Sequence, residues 1–471
     1  MAPAPWDGVP AHETMFVLVT GGNSGIGFGI GERLIDEYLT TRSLTSHLIV
    51  IPTTRSAKKS QETIDGLRQH TKEFAATSKV LRARSGPNYN PRHTTQRVHI
   101  LSVQLDLCSL PSIRRASNQL ISGTVSSPSN DDDFVSLIGV KIPRLDSVIF
   151  NAGIGGWYGI DWTKVFHNIL TKGLVSATTW PTFKGAHRGR LIDPLIGKLG
   201  HGTPHIGEVF CANVFGHYVF AHQLVPLMSR QADSDLPPGR IIWESSIEGD
   251  WECLSPDDFE AIKSSAAYES TKRLTDIMAL TATLPAAKPH VDKFFNINRQ
   301  PGQSQPVVPP KIYLVHPGVV QTTLFPLNAF MFFWYNVVLY VARWLGSPWH
   351  PITAYKGACA PVWVALQEQG WLDGAHAERI KWGSSTDFWG QCRVKKTEVD
   401  GWGWEGKVEE MVMLKREHKL KGRKTGGVDV TAEKLVEFKA LGAKCWRQME
   451  ELRERWEERE RKAEEAKAHQ S

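Results

Sequence analysis

The chain has 471 residues, 41% hydrophobic and 22% charged, with a formal net charge of +6. This describes a globular protein, long enough for two or three average domains yet compatible with one large α/β unit. So small a positive surplus does not argue for nucleic acid, although it suits an anionic cofactor or lipid. The 17 Trp and 19 Phe are an unusual aromatic load and point to a large apolar ligand or a membrane surface. Six cysteines without a C-x-x-C pair read as reduced thiols in a cytosol-facing protein. The opening MAPAPWDGVPAHET lacks the basic and apolar regions of a secretory signal, so none is expected.

MFVLVT (15–20) is an apolar run that stops at Gly21, Gly22, Asn23, Ser24, Gly25, Ile26 and Gly27. Apolar residues then recur at helical spacing through Ile30, Leu34, Ile35 and Tyr38, which gives strand, glycine turn, helix. Such a turn lets the backbone approach a pyrophosphate at a helix N-terminus. The next run, 47–51, ends at Arg55, where a dinucleotide-binding fold reads the adenosine ribose. No Asp or Glu occurs from 47 to 60, whereas Arg55, Lys58 and Lys59 do, which favours the 2′-phosphate of NADPH. The two lysines equally suit a solvated helix start. A strand at 98–105 is followed by Asp106, which could cap a helix at 110–120. Residues 78–97 read as an inserted surface loop and 123–133 as a loop of disorder-prone composition. A strand at 147–150 leads into Asn151, Ala152 and Gly153.

The aromatic stretch 154–207 is assigned to the substrate side. A helix at 208–228 carries Asn213. The strand IIWESS (241–246) ends in Ser245 and Ser246, at the carboxyl end where ligands of parallel sheets bind. In AAYESTKRL (266–274), Tyr268 and Lys272 stand one helical turn apart and share a face. An ammonium there favours the phenolate and lowers the tyrosine pKa from about 10. A strand at 311–315 precedes His316, read as structural, then Pro317, Gly318, Val319, Thr322 and Thr323; 298–310 is a Pro/Gln loop. The segment 324–345 is mostly apolar and approaches the roughly 20 residues of a membrane span, but Pro326, Asn328 and Asn336 weaken a simple crossing. A lipid-inserted lid is expected from it, with an ordinary buried helix as the alternative. Residues 345–350 and 354–366 return to the globular body. From 431, apolar residues three or four apart predict an amphipathic core-covering helix, with a solvated or frayed end at 457–471.

Together, TGGNSGIG at 20–27, Asn151-Ala152-Gly153, Asn213, Ser246, Tyr268 with Lys272, and Pro317-Gly318 resemble the short-chain dehydrogenase/reductase family over residues 15–323. The resemblance implies a Rossmann-type α/β fold, a doubly wound parallel sheet in a single domain with insertions. Its expected parts are an N-terminal extension (1–14), the reductase domain (15–395) with a hydrophobic membrane-associated segment (324–345), and a C-terminal helical extension (396–471). It implies cofactor contacts from Gly21, Asn23, Ser24, Gly25, Ile26, Gly27, Arg55, Asp106 on the adenine, Asn151, Ala152, Gly153, Tyr268, Lys272, Pro317, Gly318, Val319 and Thr322 or Thr323. No metal is implied. Counted from the Gly-Arg that opens the strand, Ser246 takes the catalytic place, with Ser245 in reserve. The 22 residues from Ser246 to Tyr268 exceed the usual family spacing; that spacing would select Ser255, which lacks a preceding strand and ranks last. The resemblance makes Asn213 the residue that steadies its helix and holds a water linked to Lys272; a buried, satisfied amide is the plain reading beside it.

GIDW (159–162), ANVFGHY (212–218), YESTKRL, the hydrophobic segment, LGSPWH (345–350) and KWGSSTD (381–387) look more closely like the fungal 3-keto-steroid reductases. That likeness implies NADPH-dependent reduction of a sterol C-3 ketone during C-4 demethylation in ergosterol synthesis. Its implied partners are the sterol ketone, membrane lipid and the other enzymes of the demethylation complex, with no nucleic acid. The implied location is the cytosolic face of the endoplasmic reticulum membrane or lipid droplets. Another lipid ketone or a retinoid as substrate, or a non-catalytic NADP-binding scaffold, are the alternatives.

Overall fold

The computed structural model describes residues 3–199, 205–296, 307–321, 328–410, 413, 422–424 and 426–468. The apolar runs form the strands of one sheet: β1 (Thr14–Val19), β2 (His47–Thr54), β3 (Val98–Ile100), β4 (Val103–Gln104), β5 (Ser147–Phe150), β6 (Arg240–Glu244), β7 (Lys311–His316), β8 (Lys381–Thr386) and β9 (Cys392–Thr397). Their order is β9-β8-β7-β6-β5-β1-β2-β3, with β4 also on β2. All pairs are parallel except β8 with β9. The chain runs outward in both directions from β1 and β5, so a crevice opens beyond their carboxyl ends, where doubly wound sheets bind ligands.

The main helices are α1 (Gly25–Thr41), α2 (Ala57–Thr77), α3 (Leu110–Ile121), α4 (Gly216–Met228), α5 (Ala267–Thr281), α6 (Ala329–Trp344), α7 (Cys359–Leu366) and α8 (Ala432–Ala468). Alternation along the strands divides the core. Phe16, Leu18, Phe150 and Ile241 face α3, α4 and α5, while Val17, Val19, Ile149 and Ile242 face α1, α2 and α7. Burial on both faces is what near-continuous apolar strands require.

The predicted amphipathic tail is α8, which lies against the outer side of α5. Phe438, Cys445, Trp446, Met449, Leu452 and Trp456 are buried in this contact, and Trp446 donates its indole N–H to Met278 O at 3.0 Å. At Gly442 a Cβ would lie 2.4 Å from Thr281 Oγ1, so only glycine lets the helices approach this closely. The end of α8 is not frayed: it stays helical to Ala468, with Arg114 paired to Glu460 and Glu464.

Several loop expectations are corrected. Residues 78–97 contain two short helices, Lys79–Ser85 and Pro91–Thr95, started by the side-chain caps of Ser78 and Asn90. Residues 123–133 contain the strand Val125–Ser127, paired with Leu137–Val140. The strand expected at 98–105 breaks into β3 and β4, and at the break Ser102 Oγ donates to Pro52 O of β2. Pro52 has no N–H to continue that ladder. Of the loop expected at 298–310, residues 298–306 lie outside the described residues, and Val307–Val308 pairs with Arg230–Gln231.

Within 324–345, residues 324–327 lie outside the described residues and the rest is capped by Asn328 to form α6, 16 residues long. That is roughly 24 Å of helix against the ~30 Å of a hydrocarbon core. No helix among the described residues is long and apolar enough to cross a membrane.

Candidate active site

The glycine turn after β1 is shaped for an anion. Gly21 and Gly25 have φ of +67° and +53°, a region open to glycine. A Cβ on Gly27 would lie 2.2 Å from Gly21 O and 2.6 Å from Asn151 Nδ2. Ser24 caps α1 without a side-chain hydrogen bond, and no acidic residue stands in the first turn. The first N–H groups of α1 are thus available to a phosphate. Asn23 and Ser24 hydrogen-bond each other on this rim, and Ile26 packs toward the α1 core. The turn is tied to β5 through Thr20. Its hydroxyl accepts from the N–H groups of Asn151 (3.0 Å) and Ala152 (3.1 Å), and Asn151 Nδ2 donates to Thr20 O (3.0 Å). Gly153 lies exposed beside it, where a Cβ would meet Asn213 Oδ1 at 2.9 Å. A cradle that side chains would fill, at a free helix N-terminus, fits the pyrophosphate of a nicotinamide dinucleotide.

Arg55 is exposed at the carboxyl end of β2. Lys58 and Lys59 fall in the solvated first turn of α2, where Lys58 pairs with Glu62 and the Lys59 N–H is capped by Ser56. Asp106 is not the cap of α3; Ser109 is. Asp106 accepts from Cys108 N at 3.0 Å and is half-buried.

At the other end of the crevice, β6 runs into the two serines. Ser245 is committed inward, its hydroxyl donating to Asp276 Oδ1 (2.5 Å) and Lys272 O (3.2 Å). Ser246 is the hydroxyl that interacts with the Tyr268 phenol, favouring its ionised form. Ser255 instead closes a local exposed turn with Asp257 N. Lys272 is buried, donates to Glu244 O at 2.8 Å, and lies 5.5 Å from the centre of the Tyr268 ring. Burial lowers its pKa and raises that of the neighbouring Glu244 carboxyl, neither oxygen of which has a hydrogen-bond partner among the described residues. Burial also raises the Tyr268 pKa, as does Glu248, while Lys184 lowers it. Around the phenol, Ile154, Val209, Ala261 and Ala267 form a small apolar cluster.

Asn213 sits in a π-turn, Cys211–Phe215, that leads into α4. Such widened turns recur at functional sites. Its amide donates to Ile154 O (3.0 Å) and Thr271 Oγ1 (3.2 Å) and accepts from Ile154 N (2.8 Å). Four residues on, His217 spans the site. Nδ1 donates to Asn213 O (3.2 Å), and Nε2 accepts from the Thr20 hydroxyl (2.9 Å), the tautomer that the carbonyl requires.

Beyond β7, Gly318 has φ of +71° and donates its N–H to His316 Nδ1 (3.1 Å), so His316 is structural as expected. Val319 N donates to Trp349 O, and Gln321 N to Ile352 O, both at 2.7 Å. The buried Arg343 at the end of α6 donates to His350 O (2.9 Å) and Pro351 O (2.7 Å), joining the aromatic helix to the same loop. Pro317 packs near Gly357. Thr322 and Thr323 lie outside the described residues.

No protein-family model matches the chain. The 3-keto-steroid reductase of Gibberella zeae is 49% identical over 463 residues, 97% of each chain. The chain belongs to the 3-keto-steroid reductase family. The family member of Aspergillus fumigatus is 40% identical over 456 residues, covering 94% of both chains. That of Saccharomyces cerevisiae is 29% identical over 399 residues, covering 82% of this chain and 90% of its own. Among solved structures, salutaridine reductase from Papaver somniferum is 18% identical with a TM-score of 0.37, over 75% of this chain and 96% of that one.

In this reductase, three parts of the site carried no assigned role in the sequence. Asp276 and Lys381 form a buried ion pair at 2.6 Å beneath the serines. His217 lies within the recognised ANVFGHY but carried no assigned role. Lys184, Glu248 and Glu269 gather beside Tyr268. Of these, His217 is accessible to a pH experiment. Burial lowers its pKa to about 3 from the ordinary 6.5, so the unfolded chain binds the extra proton as pH falls below 6.5. Wild-type stability carries that loss, whereas a His217→Gln variant does not. The stability gap between the two should shrink by about 1.4 kcal/mol per pH unit from pH 6.5 to 4.5. Urea unfolding checks this, and a gap that stays constant would show that His217 is not held neutral.

Proposed function

We propose that the protein reduces the C-3 ketone of sterol intermediates with NADPH, in the C-4 demethylation steps of ergosterol synthesis. The observation that carries this is the convergence of Ser246, Tyr268 and Lys272 at the end of β6, beside an apolar cluster and facing a dinucleotide cradle. The names borne by relatives that span nearly the whole chain support a 3-keto steroid as substrate.

When bound, the reduced nicotinamide supplies the hydride. Tyr268 donates its phenolic proton to the ketone oxygen, and Ser246 hydrogen-bonds the same oxygen as negative charge grows on it. Burial opposes the phenolate that this leaves behind, so the Lys272 ammonium favours the step by offsetting that penalty. Ser245, bound to Asp276, holds the end of β6. Asn213 has its amide committed to Ile154 and Thr271 and its main-chain carbonyl accepting from His217, so a water for proton return would share that carbonyl with His217 through its second lone pair. The turn from Gly21 to Gly27 takes the pyrophosphate, Arg55 the 2′-phosphate, and Asp106 the adenine. Asn151, Ala152 and Gly153 close the cofactor site from the far side, and Pro317, Gly318 and Val319 form the nicotinamide loop, to which the resemblance also assigns Thr322, outside the described residues.

The location in this proposal is the cytosolic face of the endoplasmic reticulum membrane or lipid droplets, next to the other enzymes of sterol C-4 demethylation. Phe330, Phe333, Trp334 and Trp344 of α6 are exposed, as are Trp162, Phe166 and Leu170 of the helix Trp162–Lys172. Both helices pack on the short helix Leu174–Thr179. So many exposed aromatics on neighbouring helices suit the interfacial layer of a bilayer, from which an insoluble ketone reaches the site without crossing water.

With a 3-keto sterol presented in vesicles, NADPH oxidation and product identification test the assignment. Tyr268→Phe should lose at least about a hundredfold in kcat, and near-normal turnover in that variant would sink the proposal. Ser246→Ala should lower kcat with the fold intact, whereas Ser245→Ala should act mainly on stability. Arg55→Asp should move preference from NADPH towards NADH; an unchanged ratio of the two kcat/KM values removes Arg55 from the phosphate site. Phe333→Ser with Trp334→Ser should weaken vesicle co-flotation, and equal flotation would show that α6 does not enter lipid.

A further inference from the structure

The insertion after Gly153 builds an antiparallel ribbon, Trp157–Ile160 with Lys184–Ala186, which delivers one charged side chain into the site. The Lys184 side chain is only 3% exposed. Its ammonium pairs with Glu248 and, at 2.8 Å, with Glu269. It lies 4.2 Å from the centre of the Trp157 ring and 5.2 Å from that of Tyr268. Trp157 and Tyr268 meet edge to face at 4.9 Å. Three separate pieces of chain therefore converge on one cation: the ribbon, the segment just past Ser246, and the first turn of α5. The same three charged residues also line a cleft of about 540 Å3 on the outer side, with Trp180 and Arg188.

We propose that Lys184 is a second positioning residue for the reaction, its ammonium stabilising the negative charge left on Tyr268 as the proton leaves. This rests on Tyr268 being the proton donor. The groups facing the phenol are Lys272 and Glu269 from its own helix, Glu248 and Ser246 from the end of β6, and Lys184 from the ribbon; Tyr335 of α6 lies in the same field. The two ammonium groups are not equivalent. Lys272 is buried beside the Glu244 carboxyl with Lys381 also near it, and its pKa falls to about 8. Lys184 has two carboxylates in contact, and their attraction raises its pKa despite burial. Lys184 thus keeps its charge at a pH where Lys272 begins to lose its own. Glu248, a counter-ion of Lys184, acts on the phenol in the opposite sense. The ribbon consequently brings a cation against Tyr268, and the chain after Ser246 brings the anion that tempers it.

The pH dependence of sterol oxidation reads this directly, because in that direction the phenolate takes the alcohol proton while the hydride passes to NADP+. With a 3-hydroxy sterol in phosphatidylcholine vesicles, Lys184→Met should raise the apparent pKa in kcat/KM by a pH unit or more. It should also lower kcat about tenfold at pH 7, with little change in NADPH binding measured by fluorescence. Lys184→Arg should restore the wild-type profile, and Glu248→Gln should shift it the other way. A merely structural lysine predicts no such opposed shifts. Should Lys184→Met fail to fold, the variant that combines it with Glu248→Gln and Glu269→Gln removes the unpaired carboxylates. A profile of folded Lys184→Met that coincides with wild type, or of that triple variant that coincides with Glu248→Gln plus Glu269→Gln alone, overturns the proposal. Full activity in Tyr268→Phe would instead overturn the reading beneath it.

Discussion

The buried pair of Asp276 and Lys381 sets the geometry on which the site depends. The two groups meet at 2.6 Å with side chains 1% and 3% exposed, and each makes one further bond upward. Asp276 accepts from Ser245 Oγ, and Lys381 donates to Ser246 O at 2.6 Å. One ion pair thereby joins α5, β8 and the end of β6. Removing two charges from water is expensive, and an apolar replacement of the same volume often stabilises a protein more. What the pair supplies here is register: Tyr268 and Lys272 lie two turns and one turn before Asp276 on the same helix, so their positions relative to Ser246 follow from it. Behind α5, the close approach of α8 at Gly442 holds the helix from its outer side.

Charge is arranged around the phenol in layers. Burial alone drives tyrosine and lysine towards their neutral forms, which would leave a poor proton donor beside a weakened cation. The sheet offers Lys272 a main-chain carbonyl and a carboxyl neighbour. The insertion offers a second ammonium with carboxylates of its own. Apolar groups then exclude water from one side of the phenol, which strengthens every charge that remains.

Much of the architecture was legible in the chain itself. The glycine turn, Asn151-Ala152-Gly153 and the Tyr268–Lys272 spacing are local features, and local backbone geometry makes them visible as patterns. Asp276 and Lys381 stand far apart in sequence and in different kinds of element, so no spacing announces their meeting. Adjacent hydroxyls such as Ser245 and Ser246 differ only in what surrounds them, and counting along the chain could rank but not separate them. Composition misread 78–97 and 123–133 because polar residues there serve as helix caps and hairpin partners. The stretch 154–207 is assigned to the substrate side because a minimal short-chain reductase needs much less chain there; its lysine gives no warning, since a lone Lys is ordinarily solvated.

Arg343 gives the aromatic helix a rigid linkage to the chemistry. Its guanidinium binds His350 O and Pro351 O, and that loop is in turn paired with Val319 and Gln321 beyond β7. The aromatic helix and the loop beyond β7 are thus fixed to each other through one buried arginine. Any displacement of α6 relative to the sheet has therefore to carry or break these two hydrogen bonds and, with them, the loop beyond β7.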